Sequence, residues 1–535
     1  MLKARMPKLK VAWLTVLVGL ATIAVSGRTE IEPVQAQSQN NNLDRPAPQQ
    51  IEVKEIRFVG NTVFSDEQLG KVLAPIEGKK LSLSELFALR SKVSNYYAEQ
   101  GYVSTSALIP TQNFDDGIIE IQIVEGSLKA VEIEGLSTFN RGYIDSRLPP
   151  VGEALNVNNL RDSLVGLRDN PLIKDLEVDL LEVSPGQNVV NLEIVENSPL
   201  QSQFGVTNTF SPSVGQIGGN ANIDYHLLGL GDVVSLGYTR TESNGLIRYS
   251  AGYSLPINRF DGEISFGYIN AEAQIIEEPI SPLDIQSDFE VFQFGLRQPI
   301  DLDENSELAL EVKAELIDSQ TFVQENIPRG FVEGLEDGES DVTALRFIQE
   351  YFNQGDRSSL AVRSQFNLGL DLFDATVTEV GRDGLFWSWQ GQAQWLKRIS
   401  DLLLVSNLNV QLSDDKLLPI EQITLGGSSS VKGYRQNLSL GDNGAIANVE
   451  LRIPLIESGN SSFRLIPFVA SGTIWNNASE EIDTDTLASI GLGLSYELGE
   501  LVEARIDYAV PLIEADAPED FSTEQEFSFF LQVEP

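Results

Sequence analysis

The sequence predicts a multidomain protein in which two small α+β domains precede an antiparallel transmembrane β-barrel of about sixteen strands. Three observations carry this expectation. A strand-and-helix pattern between residues 51 and 197 repeats with a displacement of 75 positions. After Pro199 the helical periodicity stops, and nearly every segment alternates apolar with polar or small residues. From the fifth of these segments onward, long and short connections alternate strictly, the asymmetry of a transmembrane barrel with short periplasmic turns and longer outer loops, which a soluble sandwich has no reason to show.

The first 36 residues read as an export signal. Lys3, Arg5, Lys8 and Lys10 precede an apolar run from Val11 to Val25, and Val34-Gln35-Ala36 offers a small-residue cleavage site. That run is shorter than the roughly twenty residues of a spanning helix. No later segment has eighteen consecutive apolar residues, so any membrane crossing falls to strands. Residues 37–50 are polar, Asn/Gln-rich and Pro-containing, the composition of a linker that cannot bury enough surface to fold.

The first domain is placed at 51–126 and the second at 127–197. Ile56-Arg57-Phe58-Val59-Gly60-Asn61-Thr62-Val63-Phe64 returns as Val131-Glu132-Ile133-Glu134-Gly135-Leu136-Ser137-Thr138-Phe139. Each copy opens on a strand that ends at a glycine. Ser65 to Gln68 offers a helix start, and Ser84 to Gln100 sets Leu86, Leu89, Val93, Tyr96 and Tyr97 on one face before Gly101 stops the helix. In the second copy Asn158 and Asn159 precede a helix over 160–168. Each copy closes on an alternating strand, Ile118 to Glu125 and Val189 to Glu196, so strand, helix, helix, strand, strand is used twice.

The barrel occupies 198–535. Trp387, Trp389, Ala393 and Trp395 face away from Ser388, Gln390, Gln392 and Gln394, and Ile490, Leu492, Leu494 and Tyr496 face away from Ser489, Gly491, Gly493 and Ser495. Bulky apolar residues on one side and small polar ones on the other suit lipid outside and water inside. Strands are predicted at 201–211, 216–228, 232–242, 245–255, 260–271, 288–299, 306–318, 340–353, 358–371, 385–398, 401–413, 442–456, 462–475, 486–498, 501–511 and 524–533. An even count puts both barrel ends on the side of the N-terminal domains.

The long connection at 414–441 carries Leu425-Gly426-Gly427, a serine run and Val431-Lys432-Gly433-Tyr434. This tetrad resembles the VRGY/F tip of the pore loop in two-partner secretion outer-membrane transporters of the haemolysin activation and secretion type (ShlB/FhaC/HecB), within the POTRA-barrel superfamily. Leu451 to Leu455, Leu465 to Trp475 and Ala504 to Leu512 are similar to the family's later strand motifs, and the two N-terminal repeats resemble POTRA domains. The resemblance covers about residues 51 to 533. It implies an outer-membrane protein in a Gram-negative-type bacterium with periplasmic POTRA domains. These would capture an unfolded exoprotein, usually a large β-helical adhesin or haemolysin, for secretion through the barrel. It further implies contact with outer-membrane lipid and insertion by the barrel assembly machinery, which reads alternating aromatic strands such as Phe527 to Val533.

The family arginine pairs with an aspartate in a Phe-x-Asp-x-Gly pattern, and these positions here hold Lys432 and Ala470. Lysine keeps the charge without the planar fork, so Lys432 needs another carboxylate. Strand alternation offers Glu503 and Asp507, and a weaker, more easily moved anchor is expected. Residues 37–50 are too short and polar for the plug helix some relatives carry, so closure is expected to fall to loops.

Composition excludes other classes. Thirty-seven basic against 78 acidic side chains give a net charge of −41, which repels nucleic acid. Cysteine is absent, and the lone His226 has no Ser or Asp constellation, so no catalytic residues, cofactor or metal site is expected. Asp115-Asp116, Glu277-Glu278, Asp414-Asp415 and Glu480-Glu481 read as solvated acidic turns. The alternatives to secretion are an insertase-like barrel that assembles other outer-membrane proteins, closing Gln201 to Ser211 against Glu524 to Val533, and a passive channel.

Overall fold

The computed structural model describes residues 50–535 apart from 74–75, 169, 304, 325–326, 332–334, 336, 379–380, 478–483 and 516–521. The expected signal and nearly all of the linker lie outside the described residues, as does Glu480-Glu481. The chain divides into two compact units between Asn197 and Ser198.

In the first unit the two repeats fold alike. Glu55–Val59 runs parallel to Ile118–Val124, which pairs antiparallel on its other side with Ser106–Leu108. Ser127–Glu134, Gln187–Glu196 and Ile173–Ser184 repeat that order. Helix Leu83–Glu99 begins at a reciprocal capping box between Ser82 and Glu85, and buries Leu86, Leu89, Val93 and Tyr97 against Ile119 and Ile121. The helix expected at 160–168 starts earlier, at Val157, because Asn156 is its cap: its side-chain oxygen accepts the Asn158 N–H at 2.9 Å. The Asn156 amide also donates to the Gln100 carbonyl at 2.9 Å, tying the second domain's helix to the end of the first domain's.

The repeated spelling has a physical reason. Gly60 and Gly135 turn with φ of +90° and +87°, and a Cβ there would lie 2.5 Å from the Ile123 carbonyl oxygen and 2.0 Å from that of Ile194. Only glycine fits. The chain then turns over a carboxylate. Glu125 accepts the N–H groups of Thr62 at 2.8 Å and Val63 at 2.9 Å and the Tyr97 hydroxyl at 2.9 Å, while Glu196 accepts the N–H groups of Ser137, Thr138 and Phe139. Burial pushes both carboxyls up, but these hydrogen bonds outweigh it and hold both below the usual carboxylate range.

The second unit is a closed antiparallel barrel of sixteen wall strands, to which Ile327–Pro328 adds two residues beside the seventh. In chain order the walls are Leu200–Thr207, Gly218–Tyr225, Val233–Thr241, Leu246–Pro256, Glu263–Gln274, Gln286–Asp303, Ser306–Val323, Val342–Gln354, Ser358–Leu370, Trp387–Ile399, Leu402–Ser413, Asn443–Ser458, Ser461–Trp475, Thr484–Leu498, Val502–Pro511 and Phe527–Val533. Tyr249, Phe266, Phe294, Trp387, Trp395 and Tyr508 are exposed on the outside. Inside, Gln390 bonds Gln411 at 2.8 Å and Gln394 bonds Asn407 at 2.8 Å. An apolar exterior around polar side-chain ladders is what lipid outside and water inside select.

Several strand ends depart from expectation, the first strand stopping at Thr207 and the second at Tyr225. The sixth and seventh strands run to eighteen residues each, longer than a membrane crossing needs. The last begins at Phe527, because Glu524–Gln525 pairs instead with Gly433–Tyr434 of the long connection. Closure against the first strand consists of four residue pairs, where the first and second strands share eight. Side chains extend this seam: the Asn208 amide donates to the Phe527 carbonyl at 3.0 Å and its oxygen accepts the Phe529 N–H at 2.7 Å.

Candidate functional site: a loop held inside the barrel

The sixth connection on the long-loop side, between strands eleven and twelve, folds into the lumen. Its root is apolar: Leu417 and Leu418 are fully buried against Val291, Ile317, Val342 and Phe386. Beside them Glu421 takes a bidentate pair of bonds from Arg346 at 2.7 and 3.1 Å, and Arg346 also bonds Glu315 at 2.6 Å and Asn367 at 2.9 Å. Asp442, fully buried, binds Arg382 and accepts the Leu417 N–H at 3.1 Å and the Asn477 N–H at 3.0 Å. The entry of the loop is thereby fixed to the wall and its exit to the neighbouring connections.

Ile423–Leu425 pairs antiparallel with Ser439–Gly441, so the loop enters the lumen as a ribbon. Gly426 and Gly427, both at φ +100°, then reverse the chain, and the Ser430 hydroxyl accepts the Gly426 N–H at 3.1 Å. The Leu-Gly-Gly-Ser run is thus a tight turn, not a flexible tether. It delivers Val431 and Tyr434 to an apolar seat with Leu425, Ile446, Ala470, Ile474 and Leu487. The Tyr434 hydroxyl lies 2.8 Å from the carbonyls of both Ala488 and Ile513. Gly433, at φ +96°, passes so close to the fifteenth strand that a Cβ would sit 3.1 Å from that of Ala509.

Lys432 points the other way along the tip and meets charge. Its ammonium donates to Glu450 at 3.0 Å and to Asp507 at 3.0 Å, and lies 4.7 Å from the centre of the Phe468 ring. Arg505 closes the figure. Its fork bonds Glu450 at 2.8 and 3.0 Å, and its Nε bonds Asp507 at 2.9 Å. The wall arginine supplies the planar bidentate contact that a loop lysine cannot make, and it holds both carboxylates ready for a point charge.

Of the residues singled out in the sequence, Val431, Lys432, Gly433, Tyr434 and Asp507 come together. Glu503 is not among the carboxylates that Lys432 meets. Four residues along a strand separate Glu503 from Asp507 by about 13 Å, beyond the reach of one lysine. Ala470, where the resemblance leads one to look for an aspartate, is 1 % exposed in the apolar seat, and the counter-charge stands instead on strands twelve and fifteen. Lys432 is thus held by two carboxylates and an aromatic ring. Glu450, Arg505, Glu421 and Arg346 were missed, although Glu450 and Arg505 sit on inward positions of alternating strands.

Of the acidic pairs, Asp115-Asp116 is exposed as expected, whereas Glu277 and Asp415 need correction. Glu277 binds Arg435 in a partly buried pair, and Asp415 accepts the Trp387 N–H at 2.7 Å. His226 is buried in a turn, its Nδ1 2.9 Å from the Asp232 carbonyl. Among the described residues no three His, Asp or Glu side chains cluster as a metal site.

A family model for haemolysin secretion/activation protein ShlB/FhaC/HecB matches residues 186–496, and one for the ShlB-type POTRA domain matches residues 51–126. The outer membrane transporter CdiB of Escherichia coli O6:K15:H31 is 22% identical over 489 residues, covering 87% of this chain and 79% of its own. That of Dickeya dadantii is 23% identical over 466 residues, covering 83% and 80%. The solved structure of CdiB from Escherichia coli shares the fold with a TM-score of 0.73 at 20% identity, covering 93% of this chain and 92% of its own, and that from Acinetobacter baumannii with 0.67 at 17%, covering 94% and 93%. With the family model spanning more than half of its length, the chain belongs to the ShlB/FhaC/HecB haemolysin secretion/activation family, outer-membrane transporters of two-partner secretion that work with a secreted exoprotein.

Proposed function

We propose that the chain captures an unfolded exoprotein in the periplasm through two POTRA-like domains, 51–126 and 127–197, and passes it through the barrel with residues 414–441 as the gate. The observation that carries this is the seat of Lys432 between Glu450 and Asp507. A loop whose tip rests on ion pairs in a polar lumen can exchange those partners for water or cargo without breaking the wall ladder. Gln and Asn ladders on the inner surface suit an extended backbone in transit.

The sheet edges support different capture roles. In the first domain the edge strand Ser106–Leu108 is three residues long, and the Ala107 N–H is already bonded to the Ser94 hydroxyl at 2.9 Å. In the second domain the edge strand Ile173–Ser184 has twelve residues, with Leu181 and Val183 exposed. We assign β-augmentation by cargo to that longer edge. A cavity of about 220 Å³ lined by Leu83, Phe87, Pro110 and Phe114 in the first domain suits a single apolar side chain.

The cargo is proposed to be a large β-helical adhesin or haemolysin whose folding outside supplies the driving force. The chain itself carries no enzymatic site in this reading, its apolar belt meets outer-membrane lipid, and Phe527–Val533 is the signal for the barrel assembly machinery. The insertase alternative has one observation on its side, the four-pair seam between the first and last strands.

A photo-crosslinking residue placed at Leu181 or Val183 in cells exporting a large exoprotein separates these readings. Capture of one secreted partner is the expected result. Capture of many barrel precursors overturns secretion in favour of insertion, and no capture points to a passive channel.

A further inference from the structure

We propose that Arg435, with Glu277 and Ser213, forms a second latch on the pore loop and that this latch, carried by the outer connections, sets how often the pore opens. The proposal rests on the transporter reading above and names positioning residues for it.

The geometry begins at the loop tip. Gly433–Tyr434 is fixed as a short strand against Glu524–Gln525, and the two cations that flank this pair diverge. Lys432 reaches strands twelve and fifteen through Glu450 and Asp507. Arg435 reaches the other way, to the connections 208–217 and 275–285. Its Nη1 donates to Glu277 at 2.6 Å, its Nη2 donates to the second Glu277 oxygen, and Nη2 also donates to the Ser213 hydroxyl at 2.8 Å. Ser213 in turn donates to Glu277 at 3.2 Å, and its carbonyl accepts the Ile276 N–H at 2.9 Å, so the two connections are joined before the arginine clamps them.

A planar fork on a carboxylate with a third donor contact is the geometry expected of a positioned contact, not of a solvated surface pair. The side chains are 11% and 18% exposed, which limits screening. The two latches differ in what carries them. Glu450 and Asp507 stand on strands paired along both edges, whereas Glu277 and Ser213 stand on connections outside the wall ladder, and such segments open at lower free energy than core strands. The tip is therefore held on one side by a stiff wall and on the other by a yielding one. Release starts at the yielding side.

Planar-bilayer recording of the purified full chain tests this directly. Arg435→Gln and Glu277→Gln each raise opening frequency by about tenfold, the cost of losing a charge-assisted pair. The double variant opens no more often than either single one, and the exchange Arg435→Glu with Glu277→Arg returns the frequency toward the parent. Ser213→Ala, which removes the hydroxyl contacts to Arg435 and Glu277 and leaves the ion pair, gives a smaller rise and guards against misfolding of the charge variants. Unchanged opening in Arg435→Gln and Glu277→Gln overturns the latch, as does simple additivity of the two. A parent chain that forms no pore under any condition instead removes the transporter reading itself.

Discussion

The N-terminal domains and the pore loop are both held by carboxylates drawn at least partly out of solvent, but the partners differ. Glu125 and Glu196 bind backbone N–H groups and hydroxyls of their own domain, with no ion-pair partner among the described residues. In the barrel Glu421, Glu450, Asp507 and Glu277 each face an arginine or lysine on another element. A carboxylate that caps a turn can be released only by undoing that turn. A carboxylate that holds a side chain from elsewhere can give it up and keep its own strand. The domains are thus locked for permanence and the loop for release.

Glu450→Gln breaks the comparison hardest. It neutralises the carboxylate between Lys432, Arg505 and Arg452, leaving buried cations short of a counter-charge at about 3–5 kcal/mol. Protease cleavage within 425–441 and frequent channel opening are the expected readouts, with the wall strands still protected.

The next effect belongs to the domains. Glu125→Gln weakens the turn at Thr62 and Val63 by about 1–3 kcal/mol, seen as faster hydrogen exchange in 51–126 and unchanged exchange in the barrel. Acid should do the same to both domains. Their folded carboxyls lie below the usual value, so their stabilisation is complete above the ordinary carboxylate range and is lost as pH falls through the lower folded values. If exchange in 51–197 were flat through that acid range, the lock assigned to Glu125 and Glu196 would be wrong.

Tyr434→Phe removes the hydroxyl contacts to Ala488 and Ile513 and keeps the apolar seat, about 0.5–1.5 kcal/mol in loop protection. Lys432→Arg should be the mildest change, since the two carboxylates already sit within reach of a cation. A large loss of loop protection there would mean that the seat fits an ammonium and rejects a fork.

Much of the fold was legible because its signals are local. Strand alternation and connection length located all sixteen wall strands, and the spacing of Gly60, Phe64, Gly135 and Phe139 marked the two repeats. Helix starts were less so: Asn156, Asn158 and Asn159 look alike in sequence, and only the chain path selects Asn156. The site was half legible. Lys432 and Asp507 were found from the loop and from alternation, but their union with Glu450 and Arg505 depends on register across four strands. Glu277 looked like a solvated turn because its partner, Arg435, is 158 positions away.

The central claim is that the loop must leave its lumenal seat for cargo to pass. The chain has no cysteine, so Lys432→Cys combined with Asp507→Cys gives a bifunctional thiol reagent a single pair to bridge. Export of the exoprotein should stop in the bridged double variant and continue in each single variant given the same reagent. Undiminished export through the bridged transporter would contradict the account.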